Sequence, residues 1–188
     1  MLFRSELDLR LGATDIPLII QDRRLDPDGN PRFSPSRPER FTGYLGDQVL
    51  VNLTPRPHLD VASRVYRFRA LNGSNSRIYR LAFRHGQRLL DFAVIGTDGG
   101  LLERPHIVRE AFLSPAERLD VLLDLRYAAH AETVSLVSLP FDPMHQVEGH
   151  ATVARHDRRA ATLAIEESAI ANGAEIELMR IQIGRAHV

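Results

Sequence analysis

From residue 15 onward, apolar residues recur at alternate positions in short runs, and clusters of Gly, Pro, Asn and Asp separate those runs. Ile16, Leu18 and Ile20 lead into a strand predicted to end near Gln21, and "DPDGN" at 26–30 is a turn signal. The proline-bearing stretch 33–41 reads as an irregular crossing, and "QVLVN" at 48–52 as a short strand closed by "TPRP". Residues 65–71 alternate cleanly, with Tyr66, Phe68 and Ala70 on one face and Arg67 and Arg69 on the other. Residues 78–83 offer a partner strand, and 90–95 a more apolar one ended by "GTDGG". Residues 111–113 and 119–125 bracket "SPAER", within which "PAER" is expected to make one short turn of helix, and "TVSLVSL" at 133–139 alternates again. Strands of four to eight residues at this spacing, without a sustained helical period, predict an all-β sandwich or barrel.

From Pro140 the pattern breaks. "FDPMHQVEGHATVARHDRR" is polar and histidine-bearing, "AATLAIEESAIANGAE" suits a weak strand or a helix, and 178–182 looks like a fresh strand. The expected organisation is a domain at 15–139 after an N-terminal extension at 1–14, then a linker at 140–177 and a new strand at 178–182. The two ends stand apart. Codons chosen for MLFRS (1–5) give, on the complementary strand, codons for IGRAH (183–187), so 1–5 and 183–188 are expected to derive from a sequencing adapter and not from the natural protein.

At 188 residues the chain is long enough to bury a core without a metal or disulfide staple. It contains no Cys, which removes disulfides, thiolate catalysis and any copper site built on a Cys ligand. Every basic residue is Arg, and the formal net charge is zero, so no basic stripe for nucleic acid is expected. No apolar run reaches the roughly 20 residues of a membrane span.

Candidate chemistry is sparse. The metal candidates are His58, His85, His106, His130, His145, His150, His156 and His187, but neither HxH nor HxxxH occurs among them. Loose clustering of His145, His150 and His156 is better read as solvated linker. "TDGGLLERP" lacks the context of a phosphate loop and reads as a turn. Asp120 and Asp124 share a strand face, where pairing with Arg118 and Arg126 outweighs acid–base work. Asn52 and Asn72 begin glycosylation-type triplets, a pattern frequent by chance. Asn72, Ser74 and Asn75 are expected to turn a corner between two strands, their side chains bonding their own backbone. No catalytic, cofactor-binding or metal-ligating residue is expected.

Five stretches taken together carry a resemblance: "DIPLIIQDRRLDPDGN", "GYLGDQVLVN", "YRFRALNGSNSRIYRL", "VIGTDGGLLERP" and "LSPAERLDVLLDL". In order and spacing they resemble the second cupredoxin domain of three-domain multicopper oxidases, the group of the bacterial spore-coat laccase, the copper efflux oxidase and bilirubin oxidase. The resemblance covers about residues 15–139, and "MRIQI" looks like the first strand of a third domain. It implies a cupredoxin-like Greek-key β-sandwich from a periplasmic or secreted oxidase. In that family one-electron oxidation of substrate is coupled to reduction of dioxygen to water. It also implies that the copper ligands lie in the first and third domains, so none is assigned here, and that those flanking domains are the partners. A copper-free relative acting as a cell-division scaffold is the alternative. One departure is visible, since Asn52-Leu53 stands where the family has Asn-Gly, so Leu53 is expected to alter the turn or carry strain. Faces left open by missing domains, with an orphaned strand at 178–182, would favour self-association.

Overall fold

The structure is a computed structural model that describes residues 12–129, 132–143 and 168–184. The expected linker residues 144–167, the adapter-like residues 1–5 and 185–188, and His130, His145, His150, His156 and His187 lie outside the described residues. Among the described residues the strands are β1 (Asp15–Leu25), β2 (Pro31–Arg32), β3 (Gln48–Val51), β4 (Thr54–Pro55), β5 (His58–Val61), β6 (Val65–Asn72) and β7 (Tyr79–His85). They continue as β8 (Arg88–Leu89), β9 (Phe92–Thr97), β10 (Gly100–Val108), β11 (Ala111–Leu113), β12 (Arg118–Asp124), β13 (Thr133–Ser138) and β14 (Ile176–Ile183), with one four-residue helix, α1 (Glu39–Thr42).

Two open sheets form. The first runs β10-β9-β12-β6-β1-β3-β4, with β2 paired to β1, and the second runs β11-β7-β13-β14-β5, with β8 paired to β7. Most neighbours are antiparallel, but β1 lies parallel to β6 and β5 parallel to β14. The all-β sandwich expected from the alternation is therefore what forms, with the inward residues at alternate strand positions. Leu18 and Ile20, Tyr66, Phe68 and Ala70, and Leu119, Val121 and Leu123 face Leu81, Phe83, Val134, Leu136, Ile181 and Ile183 across one core. Phe68 and Phe83 meet with ring centroids 5.5 Å apart, and Phe83 meets Phe92 edge-on at 5.4 Å. These contacts lie in the range where aromatic pairs add to plain burial.

The last strand pairs within the sandwich. Residues 178–182 are not left as an orphan of another domain, because β14 sits between β13 and β5 with Val134 opposite Ile181 and Ile183 beside Val61. Leu178, Met179, Ile181 and Ile183 are all buried in the shared core. Ile183, expected to be foreign, closes this strand. The edge on which self-association was argued is thus occupied within the chain. Both described flanks of the expected linker are also packed down, since Phe141 N donates to Gly173 O at 3.0 Å. A side chain at Gly173 would meet Phe141 O at 2.1 Å, so this close approach needs glycine.

Three further differences have local causes. "SPAER" is a turn and not helix, with Ala116 at φ 68° and Glu117 N bonded to Ser114 O. β10 was not predicted because, as an edge strand, it is exposed on both faces along most of its length and shows no alternation. Pro105 and a register shift between Leu101 and His106 interrupt it, devices that blunt an edge. β1 continues past Gln21 to Leu25, where β2 pairs with it around the turn at 26–30.

The sandwich has two distinct poles. At one, which we call the connecting pole, β1 and β6 begin, β12 ends, β13 begins, and β5 and β14 end. At the opposite, clamped pole lie the corner between β6 and β7, the turn between β11 and β12, and the residues flanking β13 and β14 at 139–143 and 168–175.

The Asn52-Leu53 hairpin joining β3 to β4 places both residues at positive φ, 49° and 66°. Asn52 is tied in, its Oδ1 accepting from Ile19 N at 2.8 Å and its Nδ2 donating to Pro17 O at 3.0 Å. Leu53 is 75% exposed and gains no burial in return for its strained backbone. Leu53→Gly is expected to raise stability by about 0.5–1 kcal/mol, the left-handed penalty less the flexibility of glycine. The check is a higher urea midpoint at an unchanged denaturant slope.

Candidate functional site

The densest polar cluster among the described residues sits at the clamped pole, around the corner that follows β6. Asn72 ends β6 with its side chain buried, and Ser74 N donates to Asn72 Oδ1 at 2.9 Å, the Asx geometry expected of a corner. The same amide reaches further than its own backbone. Its Nδ2 donates to Arg77 O at 2.7 Å and to Leu113 O at 2.9 Å, tying the corner to β11. Asn72 O accepts from Ala116 N and Asn72 N donates to Glu117 O, which docks the "SPAER" turn on the same residue. Asn75, the third residue expected to hold the corner, is exposed.

Arg77 is the centre of the cluster. Its side chain is 1% exposed, and its Nε donates at 2.8 Å to Asp22 Oδ2, on an equally buried carboxylate from β1. Nη1 donates to Ala171 O at 3.1 Å, and Nη2 to Gly46 O at 3.1 Å and Ile170 O at 3.0 Å. Gly46 N donates to Asp22 Oδ2 at 2.6 Å, and Ser168 Oγ donates to Gly46 O at 3.1 Å. A side chain at Gly46 would fall 2.3 Å from the backbone N of Arg23, so this approach also demands glycine. Ser74 Oγ accepts from Asp22 N at 3.1 Å and meets the Tyr79 hydroxyl at 2.9 Å. Burial pushes the Tyr79 phenol above its ordinary range and keeps it neutral. The sequence flagged Asn72 and Ser74 but missed Arg77, Asp22 and Gly46. Its only sign was a lone Arg ahead of an apolar alternation, and Arg is the commonest charged residue of this chain.

The other sequence candidates do not converge. His58, His85 and His106 lie on β5, β7 and β10, the last in the opposite sheet. Among the described residues no group of three His, Cys, Asp or Glu is placed to hold a metal ion. Asp120 and Asp124 both sit on the outer face of β12 in ion pairs, as expected, though Asp120 takes Arg67 of β6 instead of Arg118. Arg67 also faces Asp15 at 3.5 Å, and Asp15 accepts from Arg69 Nε at 2.6 Å, so the outer face of the first sheet carries a charge lattice across three strands. Arg118 instead bonds Asp98 in the "TDGG" hairpin, which is a turn as expected.

Two predictions follow from these ion pairs. Arg77→Met leaves the Asp22 carboxylate buried without its partner, and is expected to cost about 3–5 kcal/mol. Adding Asp22→Asn should recover a large part of that loss, read as the coupling in a double-mutant cycle of unfolding free energies. At the surface, hydrogen bonds from Arg126 and Arg180 hold Asp124 and Glu177 below the usual carboxylate range, as the backbone N–H of Asn30 does for Asp26. Lowered folded values mean that this stability is fully present above the unfolded pKa and is lost as pH falls through the folded one. Stability should therefore be flat near neutrality and fall below about pH 4, monitored by thermal unfolding across pH.

No family model matches the chain. It is 39% identical over 135 residues to the cell division protein FtsP of Xenorhabdus nematophila, covering 72% of this chain and 27% of that protein. It is 39% identical over 144 residues to a laccase of Bacillus subtilis, covering 71% of this chain and 27% of the laccase. Its fold superposes on a variant of the McoA multicopper oxidase of Aquifex aeolicus with a TM-score of 0.75 at 39% identity, over 95% of this chain and 34% of McoA. The chain thus spans about a quarter of the sequence relatives and a third of the solved enzyme. With a cupredoxin-type sandwich and relatives of this kind at both levels, the chain belongs to the multicopper oxidase family.

Proposed function

We propose that this chain is the structural middle domain of a longer laccase-like oxidase, and that it supplies no copper ligand itself. In the longer protein, one-electron oxidation of a reducing substrate would be coupled to reduction of dioxygen to water at copper held by neighbouring domains. The observation that carries this reading is the chemistry of the donor set. The described His side chains are dispersed over three strands, and the chain has no Cys, so they do not fit copper. Acidic side chains that could have assisted, Asp15, Asp22, Asp120 and Asp124, are committed to Arg partners. What the domain offers instead is rigidity, a sandwich closed at one pole by buried hydrogen bonds.

Two neighbouring cupredoxin domains of the same longer chain are its partners in this reading. In this reading the longer protein works in the periplasm or outside the cell, as the family resemblance implies. No helix of the described residues is long and apolar enough to cross a membrane. A second reading is favoured by the relatives named cell division protein FtsP, which match this chain as well as the laccases do. Under it the longer protein is a copper-free scaffold built on the same middle domain. Paired HxH and HCH motifs in the neighbouring domains would decide for the oxidase.

Copper titration of the purified chain tests the assignment. After dialysis it is expected to retain no stoichiometric copper and to leave a phenolic dye unoxidised. Tight copper retention or sustained dye oxidation would overturn it.

A further inference from the structure

We propose that the connecting pole is the surface on which the domain continuing beyond Gly184 docks, with Tyr127 as its anchoring side chain. This inference rests on the reading of the chain as one domain of a longer oxidase. The path of the backbone carries it. The described chain comes in through Gly12 to Asp15, where Thr14 O accepts from Arg67 N at 2.8 Å beside the start of β6. It leaves through Ile183 and Gly184, whose N–H groups donate to Glu132 O and Val61 O at 2.9 and 2.8 Å. The strand registers put both points at the same pole, one on each sheet.

Both described ends of the chain therefore lie at one pole of the sandwich, and in this reading a domain attached beyond them sits over that pole. The surface it meets is made by residues 62–64, between β5 and β6, and residues 125–129, which follow β12. They are braced on each other, Leu125 N donating to Arg64 O at 3.0 Å and Ser63 Oγ to Ala128 O at 3.3 Å. Such bracing presents a fixed shape to a partner. From it Tyr127 projects at 90% exposure, with the Arg126 guanidinium 5.8 Å from its ring. Tyr and Arg are the side chains that most often anchor interfaces, because each combines a large contact area with a polar end.

The chain carries its own probe. Of its four tyrosines, Tyr44, Tyr66 and Tyr79 are 6%, 4% and 0% exposed, so reagents for phenols should find Tyr127 alone. In the 188-residue chain, tetranitromethane is expected to nitrate Tyr127 selectively, read by peptide mass spectrometry. In the longer protein, produced intact from the reading frame in which this chain lies, that nitration should be lost. Equal nitration of Tyr127 in both overturns the proposal while leaving the neighbouring domains in place. A reading frame that encodes no neighbouring domain overturns both the proposal and the reading beneath it. Tyr127→Ser gives a second measurement. It should leave the unfolding midpoint of the 188-residue chain unchanged and increase the radius of gyration of the longer protein in solution scattering, and an unchanged radius counts against the proposal.

Discussion

The buried pair of Arg77 and Asp22 is the constraint on which the rest of this sandwich depends. Both side chains are 1% exposed, and a charge that deep is tolerated only when it is paired and its remaining donors are satisfied. Arg77 meets that condition by gathering carbonyls from separate stretches, Gly46 ahead of β3, and Ile170 and Ala171 ahead of β14. Each of those stretches is thereby fixed in position relative to β1 and to the corner at Asn72. A hydrophobic core alone would hold the sheets together without choosing one arrangement of the loops that join them. The guanidinium makes that choice, because its planar donors accept few geometries.

That division of labour separates the two ends of the molecule. At the clamped pole, polar groups are turned inward and used up among Asn72, Ser74, Arg77, Tyr79 and Ser168. At the connecting pole, short loops cross from sheet to sheet, and the backbone enters and departs beside them. A domain built this way suits a role as a spacer.

The integration of β14 alters how the chain should be divided. Four of its side chains lie in the common core, and its backbone pairs on both sides, so the sandwich is incomplete without residues 176–183. The described residues on either side of the stretch between β13 and β14 are bonded through Phe141 and Gly173. The break in sequence pattern at Pro140 follows the end of β13 at Ser138.

By itself the sequence determined the fold class, most strands of the core and the family. Period-two alternation, as in Tyr66, Phe68 and Ala70, states directly which side of a strand is buried. Turn residues such as Asp26 and Gly29 act through their own local backbone, and the strain at Leu53 could be read from one missing glycine. What the sequence withheld was everything set by partners distant along the chain. β10 is an exposed edge with no burial pattern to betray it, Asp120 chose Arg67 over its neighbour Arg118, and β14 pairs with β13 across a long break in the strand pattern. Arg77 reaches Asp22 across 55 positions and Ile170 across 93, and no local rule connects residues so far apart. Periodicity and turn chemistry are properties of neighbours and survive in the linear order, whereas register, buried charge pairing and the sharing of one pole by both departing segments exist only once the sheets have packed.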